Sequence, residues 1–199
     1  MTVTLPRFRS RAAYCCAVGV AVVASCTLVA CTPEPSAAPD TSTVAAPTTE
    51  QSPVLDSGLP IDALPEVAEG RHGFSDCPYL DSEWVAKTNG QRMVGQGIDT
   101  RFDTPACVFW SYPEEPQVTV IVRNMQSISS ATDVVDWAAP IADTEPVEDN
   151  GWSGGRRGHA DGSVYAVQKD KVAVIVWSNQ DQSLKAELIA QEAIKNLGL

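Results

Sequence analysis

Basic residues are scarce in this chain. Its 199 residues hold 14 lysines and arginines against 25 aspartates and glutamates, a formal charge of −11. A nucleic-acid partner needs a basic footprint to neutralise its phosphates, so no nucleic acid is expected as a partner. Histidine is scarcer still, with only His72 and His159. Neither accompanies a serine or cysteine in a recognised nucleophile context such as G-x-S-x-G, and both read as surface residues. No βαβ unit with a glycine-rich phosphate loop appears, and no internal repeat. The sequence thus points to no metal and no cofactor.

Cysteine is also sparse where it matters. Of six cysteines, Cys15, Cys16 and Cys26 fall in an apolar leader and Cys31 ends it, which leaves Cys77 and Cys107. Two cysteines and two distant histidines fall short of a zinc ligand set. Export would place the pair where disulfides persist, so Cys77–Cys107 is the expected bridge; two buried free thiols are the other reading.

What is present begins with an address. Arg7, Arg9 and Arg11 make a positive start, and residues 12–30 (AAYCCAVGVAVVASCTLVA) carry no charge. The run ends in Leu28-Val29-Ala30-Cys31, which resembles the lipobox of bacterial lipoproteins. That resemblance implies a thioether to diacylglycerol on Cys31 and cleavage before it. The small residues and the abrupt change to Thr32-Pro33-Glu34-Pro35 favour a leader over a retained transmembrane helix, although about 18 apolar residues could span a bilayer. Removing residues 1–30 removes three arginines and no acid. The mature chain then has 11 basic and 25 acidic residues, a formal charge of −14. With two or three acyl chains its anchoring to the cell membrane would be stable, facing outside the cytoplasm.

Residues 31–71 read as the lipidated cysteine followed by a Pro/Ala/Ser/Thr-rich tether without helical or strand periodicity. Such composition buries too little apolar surface to offset ordering entropy, and about 40 residues would reach roughly 35 Å. Within it Leu59–Val67 (LPIDALPEV) is more apolar and is a candidate to dock on the domain.

Residues 72–199 read as one globular α+β domain. Asp81–Lys87 is a predicted helix that turns Trp84 and Val85 inward and stops at Asn89-Gly90. Arg92–Arg101 is strand-like, with Gly95 and Gly97 suggesting a bulge or a close backbone approach. Ala106–Tyr112 and Gln117–Arg123 read as a hairpin across Pro113–Pro116. Ser130 and Asp133 suggest a capped start for a helix over Ala131–Ala139. Asp149–Gly162, dense in glycine, reads as a loop. Ser163–Gln168 and Val172–Ser178 form a second hairpin, and a last helix runs to about Asn196, with Ala186, Ile189, Ala190, Ala193, Ile194 and Leu197 on one face. The order is α-β-β-β-α-β-β-α. It predicts an antiparallel sheet of about five strands covered by helices, an α/β/α-type sandwich.

The segments CPYLDSEWVAKTNGQRM, DTRFDTPACVFWSYPEEPQVTVIVR, GWSGG and YAVQKDKVAVIVWSNQ, between Cys77 and Leu199, resemble an actinobacterial family of exported lipoproteins classified as a domain of unknown function. The resemblance implies no particular activity or catalytic residue. The element order is also similar to the PsbP/Mog1-like sandwich.

Two clusters are candidate binding sites. In the stretch from Gly151 to His159, glycines free the backbone to approach a ligand, Trp152 offers a flat face, and Arg156, Arg157 and His159 offer donors. Pairing of those arginines with the protein's own acids is the plainer alternative. Asp99, Arg101 and Asp103 alternate along what reads as an extended segment and would share one face. They read as a binding cluster, an acid–base pair, or simply a salt-bridged surface. Trp84, Trp110, Trp137 and Trp177 are expected in the core.

These readings support an exported, membrane-anchored lipoprotein whose domain is a non-enzymatic binding module for an unknown protein or envelope molecule. The alternative is a carrier of lipid or another hydrophobic ligand. A hydrolase built on Asp99, Asp103 or His159 is the third reading, and it requires those residues to converge.

Overall fold

Near-continuous apolar runs within 104–124 and 162–178, buried on both faces, build the centre of one antiparallel sheet. The computed structural model describes residues 56–199. The leader, Cys31 and most of the expected tether lie outside the described residues. Seven strands occur in chain order: β1 Gly95–Asp99, β2 Thr104–Trp110, β3 Pro116–Asn124, β4 Glu145–Asp149, β5 Trp152–His159, β6 Gly162–Lys169 and β7 Val172–Ser178. They lie in the order β1-β2-β3-β7-β6-β5-β4, and each neighbouring pair is antiparallel.

The expected five strands and their exact order are therefore corrected. The stretch read as a loop over Asp149–Gly162 holds β5, and β4 precedes it. Asn150 and Gly151 take the left-handed backbone (φ 49° and 84°) that a two-residue hairpin turn requires, and they join Asp149 to Trp152. Glycines in β5 are demanded by close packing, not by a turn. A Cβ at Gly154 would sit 2.1 Å from the Ala166 carbonyl oxygen, and one at Gly158 would sit 2.2 Å from that of Asp181.

Helices cover both faces. On one face lie α1 (Ser82–Asn89) and α3 (Ser183–Leu197), packed over Cys107, Phe109, Val120, Tyr165 and Val176. Asp81 caps α1 by accepting the Trp84 N–H at 2.7 Å, and Gly90 ends it in the left-handed region. α3 buries Ala186, Ile189, Ala190 and Ala193, and partly buries Ile194 and Leu197, the face its periodicity predicts. On the opposite face α2 (Ile128–Ala138) lies over Ala166, Ile121 and Ile175. Its cap is Ser127, which accepts the Ser130 N–H, so the helix starts three residues before the expected Ala131. Cys77 and Cys107 are joined by a disulfide, with Cα atoms 5.6 Å apart.

α2 leaves part of its face uncovered, and residues 56–71, within the stretch read as tether, run across it. The Arg123 side chain, 2 % exposed, binds this arm through the Leu59 and Pro60 carbonyls and Asp56. Further on, Val67 packs where a Cβ on Gly97 would lie 2.4 Å away, and the Arg71 carbonyl where one on Gly95 would lie 1.9 Å away. The glycines of β1 therefore serve a close backbone approach, and the approaching backbone is the arm.

Candidate functional site

The register places one residue from each of six strands in a single row on the α2 face: Gly97, Val108, Thr119, Trp177, Val164 and Arg157. Cross-strand partners share a face, so this row is a continuous surface about 24 Å long at a strand spacing near 4.8 Å. The arm closes one end with Leu64, Pro65 and Val67.

Two adjoining pockets lie along the row and share Pro116, Thr119 and Trp177. The pocket next to the arm, about 390 Å³, is apolar, with Val108 and Trp110 in its lining. The other, about 320 Å³, runs past Val164 to Arg157, Asp161 and Asn179. Trp177 is braced by Trp137 of α2, edge to face with ring centres 5.6 Å apart. That contact fixes the indole that forms the middle of the cleft.

The arginines of the Gly151–His159 stretch do not act together. Residues alternate faces along β5, so Arg156 and Arg157 point to opposite sides of the sheet. Arg156 sits on the α3 face, 3.1 Å from Glu187 and 3.4 Å from Glu145. Arg157 forms none of the ion pairs found among the described residues and borders the cleft. Trp152 offers no exposed face: it is 8 % exposed, within the α3-side core, and Lys169 lies over its ring at 5.7 Å. Burial and the charges of Glu187 and Asp149, against that of Arg156, push the nearby Tyr165 phenol up to about 12. His159 is exposed, with Nδ1 2.8 Å from Asp161. That hydrogen bond, chiefly, holds the Asp161 carboxyl below the usual range.

The second cluster is not an extended face. Asp99 ends β1, Thr100–Asp103 form the turn into β2, and Phe102 between them is buried. Asp99, 4 % exposed, accepts the Glu66 N–H at 2.7 Å and is gripped by the Arg101 guanidinium at 2.7 Å. Arg101 in turn reaches the Leu64 carbonyl and Glu66. Burial pushes the Asp99 carboxyl up, but the side-chain hydrogen bonds from Arg101, the N–H groups of Glu66 and Arg101 and the Arg101 charge outweigh it, and the carboxyl stays below its ordinary value. The pair pins the arm. Asp103 is exposed and outside this network. His159, on β5, is separated from Asp99 by β2, β3, β7 and β6, roughly 24 Å at the usual strand spacing. Asp99 and His159 do not converge.

Sequence reasoning placed Trp110 and Trp177 in the core and gave neither a binding role. Trp110 is indeed buried, at 6 % exposed, whereas Trp177 is only partly so and lines the cleft. The register of the β3–β7 and β6–β7 ladders, which no local pattern fixes, is what aligns Thr119, Trp177 and Val164. Among the described residues no helix is long and apolar enough to cross a membrane. Residues 59–199 match the family model described as Domain of unknown function (DUF2020). No curated protein matches the chain.

Proposed function

For this chain, which belongs to the DUF2020 family, we propose a role as a non-enzymatic binding module, exported and held at the cell envelope by a lipid on Cys31. The sequence of residues 1–31 supports the address, and the Cys77–Cys107 bridge suits an oxidising compartment. The single observation that carries the binding role is the cleft floored by Thr119 and Trp177, with an apolar end at Leu64 and Val108 and, at the other, Arg157, which has no ion-pair partner among the described residues. An apolar trough whose charges, Arg157 with Asp161 and Glu115, gather at one end fixes the orientation of what it binds. The occupant that suits it is a partner surface with an apolar segment ending in a carboxylate or another anionic group.

The carrier reading draws on the same cleft, because its arm-side pocket of about 390 Å³ is lined by Leu64, Val67 and Trp110 and would accept an acyl chain. Native mass spectrometry separates the two. Lipid that travels with the purified domain and leaves on Trp177→Asp substitution supports the carrier. A bare domain, with crosslinks from the cleft to an envelope protein, supports the binding module. The address has its own test. In a cell that processes lipoproteins, the mature chain begins at a diacylated Cys31, and Cys31→Ala leaves the full precursor. A wild-type chain that starts at Met1 with a free thiol at residue 31 would refute it.

A further inference from the structure

The apolar end of the Trp177 cleft carries two tryptophans, Trp110 and Trp177, whose indole N–H groups have no hydrogen-bond partner among the described residues. Neither nitrogen is sealed from outside: the buried, unpartnered side-chain atoms of the described residues belong to Gln96, Arg123 and Gln168. With the Thr119 hydroxyl, the side chains of this end offer three donors and one acceptor. The backbone adds little to the acceptors. The floor strands β2, β3 and β7 are paired on both sides, and the Leu64 and Val67 carbonyls of the wall already accept from Arg101 and the Gly70 N–H. An occupant should therefore bring carbonyls without N–H groups, since an amide proton turned to an apolar wall goes unpaired.

Spacing along the row adds a second constraint. Val108, Trp177 and Arg157 stand on alternate strands, two strand spacings or about 9.6 Å apart. A polyproline II helix repeats every three residues, about 9.3 Å. Residues three apart on such a segment therefore meet Val108 and Trp177 in turn, and the next meets the Arg157 end. The groove also continues an interface that irregular, proline-containing chain already makes, because Pro65 of the arm forms its wall beside Val108 and Trp110.

Resting on the cleft reading above, we infer that the occupant is a proline-rich segment of another protein, in the polyproline II conformation with prolines three residues apart. Proline has a carbonyl and no N–H, its ring suits an aromatic-lined groove, and its backbone enters already ordered. The stretch 32–55 of this chain does not supply the pattern. Its prolines are Pro33, Pro35, Pro39, Pro47 and Pro53, no two of them three apart.

The test adds three capped peptides to the full-length protein and follows amide and indole N–H signals by NMR. The peptides are hexaproline, an alanine–serine hexamer and the sequence of residues 32–55. Hexaproline is expected to saturate shifts at Val108 and Thr119 and to move the Trp110 and Trp177 indole signals, leaving those of Trp84 and Trp152 in place. The alanine–serine hexamer should bind about tenfold more weakly, the scale of one N–H left unpaired. The peptide of residues 32–55 should also be weaker than hexaproline. Trp177→Phe, which keeps a ring and loses the N–H, and Thr119→Val, which loses the hydroxyl, should each weaken hexaproline by about fivefold, the scale of one hydrogen bond. Equal affinity for the two hexamers would overturn the assignment, as would indole signals that stay in place or binding unmoved by both variants. So would tighter binding of residues 32–55 than of hexaproline, or no saturation by about 10 mM, where affinity falls below the weakest range of specific binding. A crosslink from Thr119 in cells that is lost on Arg157→Glu would stand under any of these results, so the cleft and its proline-rich occupant fail separately.

Discussion

Arg156 and Arg157 are adjacent in the chain and serve opposite faces of the sheet. Arg156 is spent on Glu145 and Glu187, whereas Arg157 borders the Trp177 cleft without an ion-pair partner among the described residues. The two substitutions should therefore separate. Arg157→Ala is expected to leave unfolding free energy within about 0.5 kcal/mol of wild type, as an exposed position should. It should also reduce capture of the cleft's partner. Arg156→Ala should cost up to about 1 kcal/mol, the range of partly exposed ion pairs, and leave capture intact. Urea unfolding alongside crosslinking from the cleft checks both.

Arg123 is the counterpart on the arm. Its guanidinium is buried under residues 56–60, lies 5.7 Å from the Phe102 ring centre, and bonds two carbonyls and Asp56. Removing it strands Asp56, whose side chain is only 10 % exposed. Arg123→Ala is expected to cost about 3 kcal/mol, the usual scale for breaking a buried pair. It should also open residues 56–66 to protease. A loss under 1 kcal/mol with an uncut arm would contradict the clamp.

Gly95 tests whether the arm belongs to the domain. A Cβ there meets the Arg71 backbone carbonyl at 1.9 Å, and no side-chain rotation relieves that. Gly95→Ala should cost about 2 kcal/mol, the scale of overpacking, and perturb NMR shifts at Val67 and Arg71. Gly58→Ala carries no clash, since nothing lies within 4 Å, and only its positive φ is strained. Those shifts should not move with it.

The disulfide closes a separation of 30 residues. In the chain-entropy account it contributes about 3.5 kcal/mol by restricting the unfolded chain. The Cys77→Ala/Cys107→Ala protein should be less stable by that order in urea, and wild type under reductant should match it. A difference below 1 kcal/mol would contradict the account.

Acid should loosen the arm through Asp99. Its carboxyl is held below the ordinary value, so the folded protein binds that proton less readily than the unfolded chain does. The stability it contributes is complete above the unfolded value, about pH 4, and is lost as pH falls through the lower folded value. Wild type should therefore lose stability on acidification below about pH 5 more steeply than Asp99→Asn, read from urea midpoints at each pH. Parallel profiles would contradict the assignment.

Local pattern reached the parts of this fold that pattern governs. The ladders β2–β3 and β6–β7 are near-continuous apolar runs bounded by turn residues, buried on both faces, and α3 repeats alanine and isoleucine at helical spacing, so each was legible. β5 was not, because Gly154, Gly155 and Gly158 strip it of the side chains that mark a strand. The usable sign was Asn150-Gly151, a dipeptide that favours a two-residue hairpin turn. Of the arm, Leu59–Val67 was legible as a stretch apolar enough to dock, and it does, but proline-rich, irregular backbone carries no period that says where. It is held by partners far along the chain, 63 residues from Pro60 to Arg123 and 33 from Glu66 to Asp99. Asp99, Arg101 and Asp103 read as one cluster with its purpose open; the structure gives Asp99 and Arg101 the arm and leaves Asp103 outside.

The most direct test places a photocrosslinking amino acid at Thr119, on the floor of the cleft, in a cell that exports the chain. A discrete adduct to one envelope component is predicted, lost when Arg157→Glu reverses the charge and kept when Arg156→Ala is made. No adduct at Thr119, or one that survives Arg157→Glu and also forms from exposed Lys171, would contradict a binding role for the cleft.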